Sequence, residues 1–305
     1  MKLLITGASG LLGINLALEA WREHEVIGVD RGKLKSAPFQ VLKTDFLDPS
    51  EINAILDVTN PDWLINCAAL ANLEKCEEDP AQAKILNTDL PGQLAVACAK
   101  RNIHFVHIST DAVFDGTKKG SYTEEDPTSP PGVYSQTKLD GEYAVQEGDP
   151  QAIIARVNFY GWSLGGRRSL SEFFVNNLGD GKSVNGFTDV IFCPMLVNET
   201  ARLLLEMLKK NLSGLYHLVG AQPMSKYQFG VEVAQTFGLR KDLIAPRSVE
   251  ASDLTAKRSH NLWLSTHKLS TDLGHEIPSF STGLAEFYTQ FQQGYPQKIR
   301  SYQQP

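Results

Sequence analysis

Apolar and polar positions along this chain switch between two periods. Lys2–Thr6, Glu25–Asp30, Asp62–Cys67 and His104–Thr110 are short, mostly apolar runs. Between them lie stretches with apolar residues at helical spacing, as with Leu12, Leu16, Leu18 and Trp21 within Leu11–Glu23. Short apolar runs bounded by turn residues read as buried strands, and the 3.6-residue period reads as helix. The pattern predicts a further strand over Gln40–Thr44 and a helix over Ser50–Val58, started by Asp48-Pro49-Ser50. It then predicts a long helical stretch over about Ala81–Arg101, a helix over Tyr134–Glu147 and a strand over Gln151–Val157. Later, Leu196–Lys210 reads as an amphipathic helix, and Ser225–Phe237 as another with Ser225 at its N-cap. Alternation of this kind predicts an α/β fold, a doubly wound parallel sheet with right-handed crossovers.

The opening stretch, MKLLITGASGLLGINLALEA, admits two readings. A lysine before an apolar run resembles a secretory signal peptide, but that needs an apolar core with few breakers. Here Gly7, Gly10 and Gly13 interrupt the run every three residues, and Asn15 and Glu19 follow. Strand, glycine loop, helix, strand and terminal acid is instead the order in which a dinucleotide is held. Gly7 permits the tight turn, Gly10 lets backbone approach a pyrophosphate, and Gly13 allows close packing of helix on sheet. The helix N-terminus offers N–H groups and a positive dipole end to the phosphates. Asp30 stands where a carboxylate would bind the adenosine ribose hydroxyls. Residues 1–157 thus form a Rossmann-type NAD(P)-binding domain. Residues 158–305 are expected to form a smaller C-terminal substrate-binding region, interleaved with the last strands of the sheet.

Composition narrows the partners. A chain of 305 residues, 42% hydrophobic and 21% charged, can bury one substantial core or two fused ones. Its net charge of −6 leaves no basic excess for a nucleic-acid footprint. No apolar run reaches 18 residues, so no membrane span is expected. Four cysteines, spaced too widely for a metal pair and too few for a disulfide scaffold, suit reduced thiols in the cytoplasm. His104 and His107, three apart on one strand, face opposite sides, and no metal site is expected.

In a doubly wound sheet, ligands gather beyond the carboxyl ends of the strands. That directs attention to Asn66-Cys-Ala-Ala69, Ser109-Thr-Asp111 and Arg156-Val-Asn158. The helix predicted after the fifth strand opens Tyr134-Ser-Gln-Thr-Lys138, with tyrosine and lysine on one face. An ammonium near a tyrosine favours the phenolate and brings its pKa down toward use as an acid–base group. Thr110, at a strand end, is placed to hold the same substrate oxygen. The Gly165-Gly-Arg-Arg168 loop reads equally as arginine forks for diphosphate oxygens or as arginines of a solvated loop.

These segments resemble the extended short-chain dehydrogenase/reductases, and within them the dTDP-4-dehydrorhamnose reductase family. The resemblance is carried by Gly7-x-x-Gly10-x-x-Gly13, Ser109-Thr-Asp-Ala-Val-Phe-Asp-Gly116 and Tyr134-Ser-Gln-Thr-Lys-Leu-Asp-Gly-Glu142. Asp45-Phe-Leu-Asp-Pro49, Gly214-Leu-Tyr-His-Leu-Val219 and Leu264-Ser-Thr-His-Lys-Leu269 extend it along the chain. It implies a Thr110/Tyr134/Lys138 catalytic triad, with Tyr134 donating the proton and Lys138 binding the nicotinamide ribose. It implies cofactor contacts from Gly10, Leu11, Leu12, Asp30, Asp45, Phe46, Ala68 and Ala69, and substrate contacts from Thr110 and Asp111. The substrate side departs from the family. Ala112 replaces an aromatic, and the Arg156–Gly161 segment is one residue short, which leaves Phe159 nearest to a tryptophan that lies beside the sugar in relatives. The expected activity is NAD(P)H-dependent reduction of a nucleotide-linked 4-keto-sugar, with NADH modestly preferred because Asp30 would repel a 2′-phosphate while Arg31, Lys33 and Lys35 would attract it. An epimerase on the same scaffold, or a cofactor-binding regulatory subunit like methionine adenosyltransferase β, are the alternatives. Oligomeric state stays open, a homodimer being one candidate.

Overall fold

The computed structural model describes residues 1–32, 34–44, 48–251 and 257–303. Its first half follows the predicted alternation: β1 (Lys2–Thr6), α1 (Leu11–Ala20), β2 (Glu25–Asp30), β3 (Gln40–Lys43), α2 (Pro49–Thr59) and β4 (Trp63–Asn66). Asp48 caps α2, its Oδ1 accepting from the Ser50 N–H at 2.9 Å. The long helix expected over 81–101 is broken into pieces. A short α3 (Leu73–Glu78) precedes it, then come α4 (Pro80–Lys84), a π turn over Ile85–Asp89 and α5 (Leu90–Ala99). Pro91 has no N–H to give to the carbonyl of Asn87 four residues earlier, so the regular ladder cannot run through this point.

After β5 (His104–Thr110) come α6 (Val133–Gly148) and β6 (Ile153–Val157). The second half adds the short β7 (Phe159–Tyr160), α7 (Leu170–Gly179), β8 (Val184–Phe187), β9 (Ile191–Phe192) and β10 (Met195–Leu196). Then follow α8 (Val197–Lys209), β11 (Gly214–Leu218), β12 (Met224–Ser225), α9 (Lys226–Thr236), β13 (Ile244–Arg247) and β14 (Asn261–Leu262). The chain closes with α10 (His267–Leu273), α11 (Phe280–Gln292) and α12 (Tyr295–Arg300). Ser225 caps α9 as expected, accepting from Gln228 N–H at 3.1 Å.

The described strands form a seven-stranded sheet, ordered β11-β6-β5-β4-β1-β2-β3 and parallel throughout. Parallel sheets covered on both faces read as continuous apolar runs, which is why β1, β4 and β6 are almost wholly buried. Strand order reverses between β1 and β4, and there the carboxyl ends open into a crevice. The edge strand β11 comes from the second half of the chain and pairs with β6 from Gly214–Ile153 to Leu218–Val157. One apolar cluster runs from Leu3 and Ile14 through Trp162 and Leu204 to Phe287 and Ile299, joining both halves. Among the described residues no helix is long and apolar enough to cross a membrane.

Candidate active site

A cleft of about 540 Å³ runs along the carboxyl ends of the central strands. One wall is the β1–α1 loop. Gly7 adopts φ +62°, and a Cβ there would stand 2.8 Å from the Ala68 nitrogen. A Cβ on Gly13 would lie 2.3 Å from the Gly7 carbonyl oxygen, so the helix sits directly on the loop. Gly10 is the N-cap of α1, and no side chain caps the first turn. Its opening residues Leu11, Leu12 and Gly13 line the cleft, as do Gly7, Gly10, Ala68, Ala69, Asp30 and Arg31. A side chain at Gly7 or Gly13 would collide with neighbouring backbone, and the close-packed loop leaves the first-turn N–H groups of α1 open to the cleft, which suits a pyrophosphate at a helix N-terminus. Asp30, buried at the end of β2, accepts from the Gly32 N–H at 2.9 Å. Asp45 and Phe46, expected on the cofactor, lie outside the described residues, as does Lys33.

The opposite wall comes from β5 and α6. Thr110, Asp111, Tyr134 and Lys138 all line the cleft, as does Phe159 at the start of β7. The helix that carries the tyrosine is fixed at both faces. Gly132, its N-cap, has no side chain to offer, and Glu77 of α3 supplies the cap by accepting from the Val133 N–H at 2.9 Å. Lower down, Glu142 forks with Arg156 of β6 at 2.7 Å, both nearly sealed from solvent, and accepts from the Ser109 hydroxyl. Tyr134, Lys138 and Glu142 fall at i, i+4 and i+8, so one helical stripe faces the strand ends.

One expectation is corrected here. Burial pushes the Tyr134 phenol up to about 12, with Thr110 pulling it down and Asp111 pushing it further up. No depression by Lys138 is seen. The ammonium is turned to the strand instead, donating to the Ile108 carbonyl at 2.6 Å and lying 3.1 Å from His107 Nε2. Burial brings Lys138 down to about 8, with Glu142 and Cys67 opposing. The sequence spacing gave the shared face but not the buried partners that compete for the nitrogen.

Beside Tyr134 and Lys138, Asp111 accepts from Asn158 Nδ2 at 2.6 Å and from Thr110 Oγ1 at 3.2 Å. Burial outweighs both bonds and the attraction of Lys226, and raises this carboxyl to about 6. Lys226, first residue of α9, and Lys257, Arg258 and Arg168 extend the cleft beyond Asp111. Arg168 thus reaches the cleft, while its neighbour Arg167 does not line it. Arg258 is also paired with Glu74 at 2.9 Å. Among the described residues the cleft carries six cationic side chains and two carboxylates, on a chain of net charge −6. Sequence reading missed Lys226, Lys257 and Arg258, which stand in no spacing motif and meet only through the fold. Cys67 also lines the cleft, and burial holds its thiol near 12, too high for a thiolate nucleophile at neutral pH.

The family described as the RmlD substrate binding domain matches residues 1–293. A Haloferax volcanii protein, "Probable low-salt glycan biosynthesis reductase Agl14", is 31% identical over 296 residues, covering 95% of this chain and 98% of its own. The mouse methionine adenosyltransferase 2 subunit beta is also 31% identical, over 93% of this chain and 86% of its own. A crystal structure of a dTDP-4-dehydrorhamnose reductase from Clostridium acetobutylicum superposes with TM-score 0.83 at 28% identity, covering 96% of this chain and all of that one.

Proposed function

The chain belongs to the RmlD substrate-binding-domain family of extended short-chain dehydrogenase/reductases, and from that premise we propose that it is an NAD(P)H-dependent oxidoreductase reducing a nucleotide-linked 4-keto-sugar. The observation that carries this is the continuity of the cleft. It joins the glycine cradle to Thr110, Tyr134 and Lys138 and then to four cations, Arg168, Lys226, Lys257 and Arg258. A dinucleotide fits the first part, and a sugar with a diphosphate tail fits the last.

When bound, the nicotinamide supplies a hydride to the carbonyl carbon. Everything else falls to this chain's own side chains. With its phenol near 12, Tyr134 stays protonated at neutral pH and gives that proton to the developing alkoxide oxygen. Thr110 orients the same oxygen. Lys138 offers its remaining N–H to the cleft, where a ribose hydroxyl would accept it. Asp111 and Asn158 face the sugar hydroxyls, and Phe159 provides an apolar wall. Gly7, Gly10, Leu11, Leu12 and Gly13 hold the pyrophosphate, Ala68 and Ala69 line the middle, and Asp30 takes the adenosine ribose, favouring NADH modestly over NADPH.

The test is oxidation of NADH and NADPH against dTDP-, UDP- and GDP-linked 4-keto-sugars. Consumption of reduced cofactor with one of them is expected. A second reading, a cofactor-binding regulatory subunit, is favoured by the 31% identity to the mouse β subunit. Cofactor binding without turnover on the whole panel would select it. An epimerase would instead purify with its cofactor and consume none.

A further inference from the structure

Behind the cleft lies a buried chain of polar groups that the reaction as written does not use. Lys138 Nζ stands 3.1 Å from His107 Nε2. The other ring nitrogen, Nδ1, stands 3.2 Å from Asn66 Nδ2, and the Oδ1 end of that amide accepts from the Thr6 hydroxyl at 2.6 Å. None of Thr6, Asn66, His107 or Lys138 is more than 2% exposed. An ammonium only donates, so Nε2 must accept, and a neutral imidazole that accepts at Nε2 carries its proton on Nδ1. Nδ1–H then needs the amide oxygen of Asn66, and the two ends of that amide are exchangeable by a flip. The opposite tautomer would set Nε2–H against the ammonium, two donors face to face at a buried site, and would favour loss of the lysine's proton.

We propose that His107 is a positioning residue for Lys138: held by Asn66 as the Nδ1–H tautomer, it accepts from the lysine nitrogen and keeps that nitrogen charged and aimed at the Ile108 carbonyl and the cleft. The inference rests on the placement of Lys138 in the active site. Glu142 on its own helix and Cys67 after β4 act on the ammonium, His107 on β5 lies against it, and Lys138 acts in turn on the imidazole. Asp111 and Cys76 act on Tyr134, one turn away. Burial already brings Lys138 down to about 8. Loss of an acceptor bonded to the charged form removes about one further pH unit. At pH 7.5 the charged fraction then falls roughly threefold, so His107 decides whether the lysine is an ammonium under ordinary conditions.

The experiment needs no substrate. Long-range proton–nitrogen NMR on the wild-type protein reads the His107 tautomer at pH 7, and ¹³Cε-labelled lysine reads the Lys138 titration. The Nδ1–H tautomer is expected. His107→Phe should lower the Lys138 midpoint by about one unit, while His107→Gln, whose Oε1 replaces Nε2 as acceptor, should hold it within a few tenths. An Nε2–H or doubly protonated ring, or a Lys138 midpoint unmoved in the Phe variant, overturns the proposal. If the Phe variant does not fold, the wild-type tautomer and the Gln titration decide it. Where a substrate is in hand, the basic limb of kcat/KM should move with the lysine midpoint, whereas a purely structural role lowers the rate evenly across pH. Failure of the sugar panel leaves the NMR result standing, so the two readings are separable.

Discussion

At the scale of single residues the chemistry reduces to where protons and charges can rest. Tyr134→Phe removes the proton donor and nothing else of size, so turnover should fall about 10²–10⁴-fold. Cofactor affinity, measured by fluorescence titration, should stay within a few-fold; a variant keeping a tenth of the wild-type rate would take Tyr134 out of the role. Asp30→Ala should weaken NADH and strengthen NADPH, because a carboxylate facing a 2′-phosphate costs about 1–4 kcal/mol depending on local dielectric. Titration of both cofactors at fixed ionic strength checks it, and unchanged affinities would remove Asp30 from the site. Asp111 gives a pH prediction. Its folded pKa, about 6, lies above the ordinary carboxylate value, so the folded state holds the proton more tightly than the unfolded chain. Stability is therefore greatest below about pH 4 for this group and declines as pH rises to about 6, by roughly 3 kcal/mol. Asp111→Asn fixes the neutral form, and urea unfolding should show it more stable than wild type at pH 8 but not at pH 4. That Tyr134, Thr110 and Lys138 line one cleft was legible in sequence, because one motif holds two of them and a strand end holds the third. His107 was seen only as one of a pair unfit for a metal. Its partner stands 31 residues away, and only strand pairing and helix packing bring the two nitrogens together.

At the scale of elements, β1 to β6 were read to within two residues, because each is a short apolar run ending at a turn, whereas β7 to β14 were not read as strands. The helix over 81–101 was not, because the hydrophobic period runs through a proline that periodicity does not weigh. The break has a use. In the π turn, Asn87 Oδ1 accepts from the Leu70 N–H at 2.9 Å, its Nδ2 donates to Thr137 Oγ1 at 3.2 Å, and Thr88 donates to the Thr137 carbonyl at 2.8 Å. The loop after β4 and the helix bearing Tyr134 are thus tied to one another through a single irregular turn. Close approach makes this possible: a Cβ on Gly141 would lie 2.1 Å from the Asn87 carbonyl oxygen. Gly141→Ala should therefore lever α6 away from the turn, costing about 3 kcal/mol in chemical denaturation, since backbone on both sides cannot yield as a side chain would. Activity should fall with it, because Tyr134 and Lys138 ride on the same helix.

At the scale of the whole molecule, the sequence marked a boundary near residue 157, and the sheet crosses it. β11 completes the sheet from the far side, and one apolar cluster passes from Leu3 to Ile299. Calorimetry should accordingly show one unfolding transition, moved upward by saturating cofactor as about 2.7 kcal/mol at a hundred times the dissociation constant. Two resolved transitions, with only one responding to cofactor, would mean that the halves unfold apart. Which later run joins the sheet was not legible, because pairing partners are chosen by crossovers that local pattern does not encode. The same edge strand also imposes a timetable. A ribosome adds about 5–20 residues each second, so β6 emerges several seconds before β11 is made. Through that interval the outer edge of Ile153–Val157 offers bare amides and carbonyls to any neighbouring chain. Nascent chains stalled before Gly214–Leu218 leaves the ribosome are therefore the form of this protein most in need of a chaperone, and those in which it has left can cover that edge themselves.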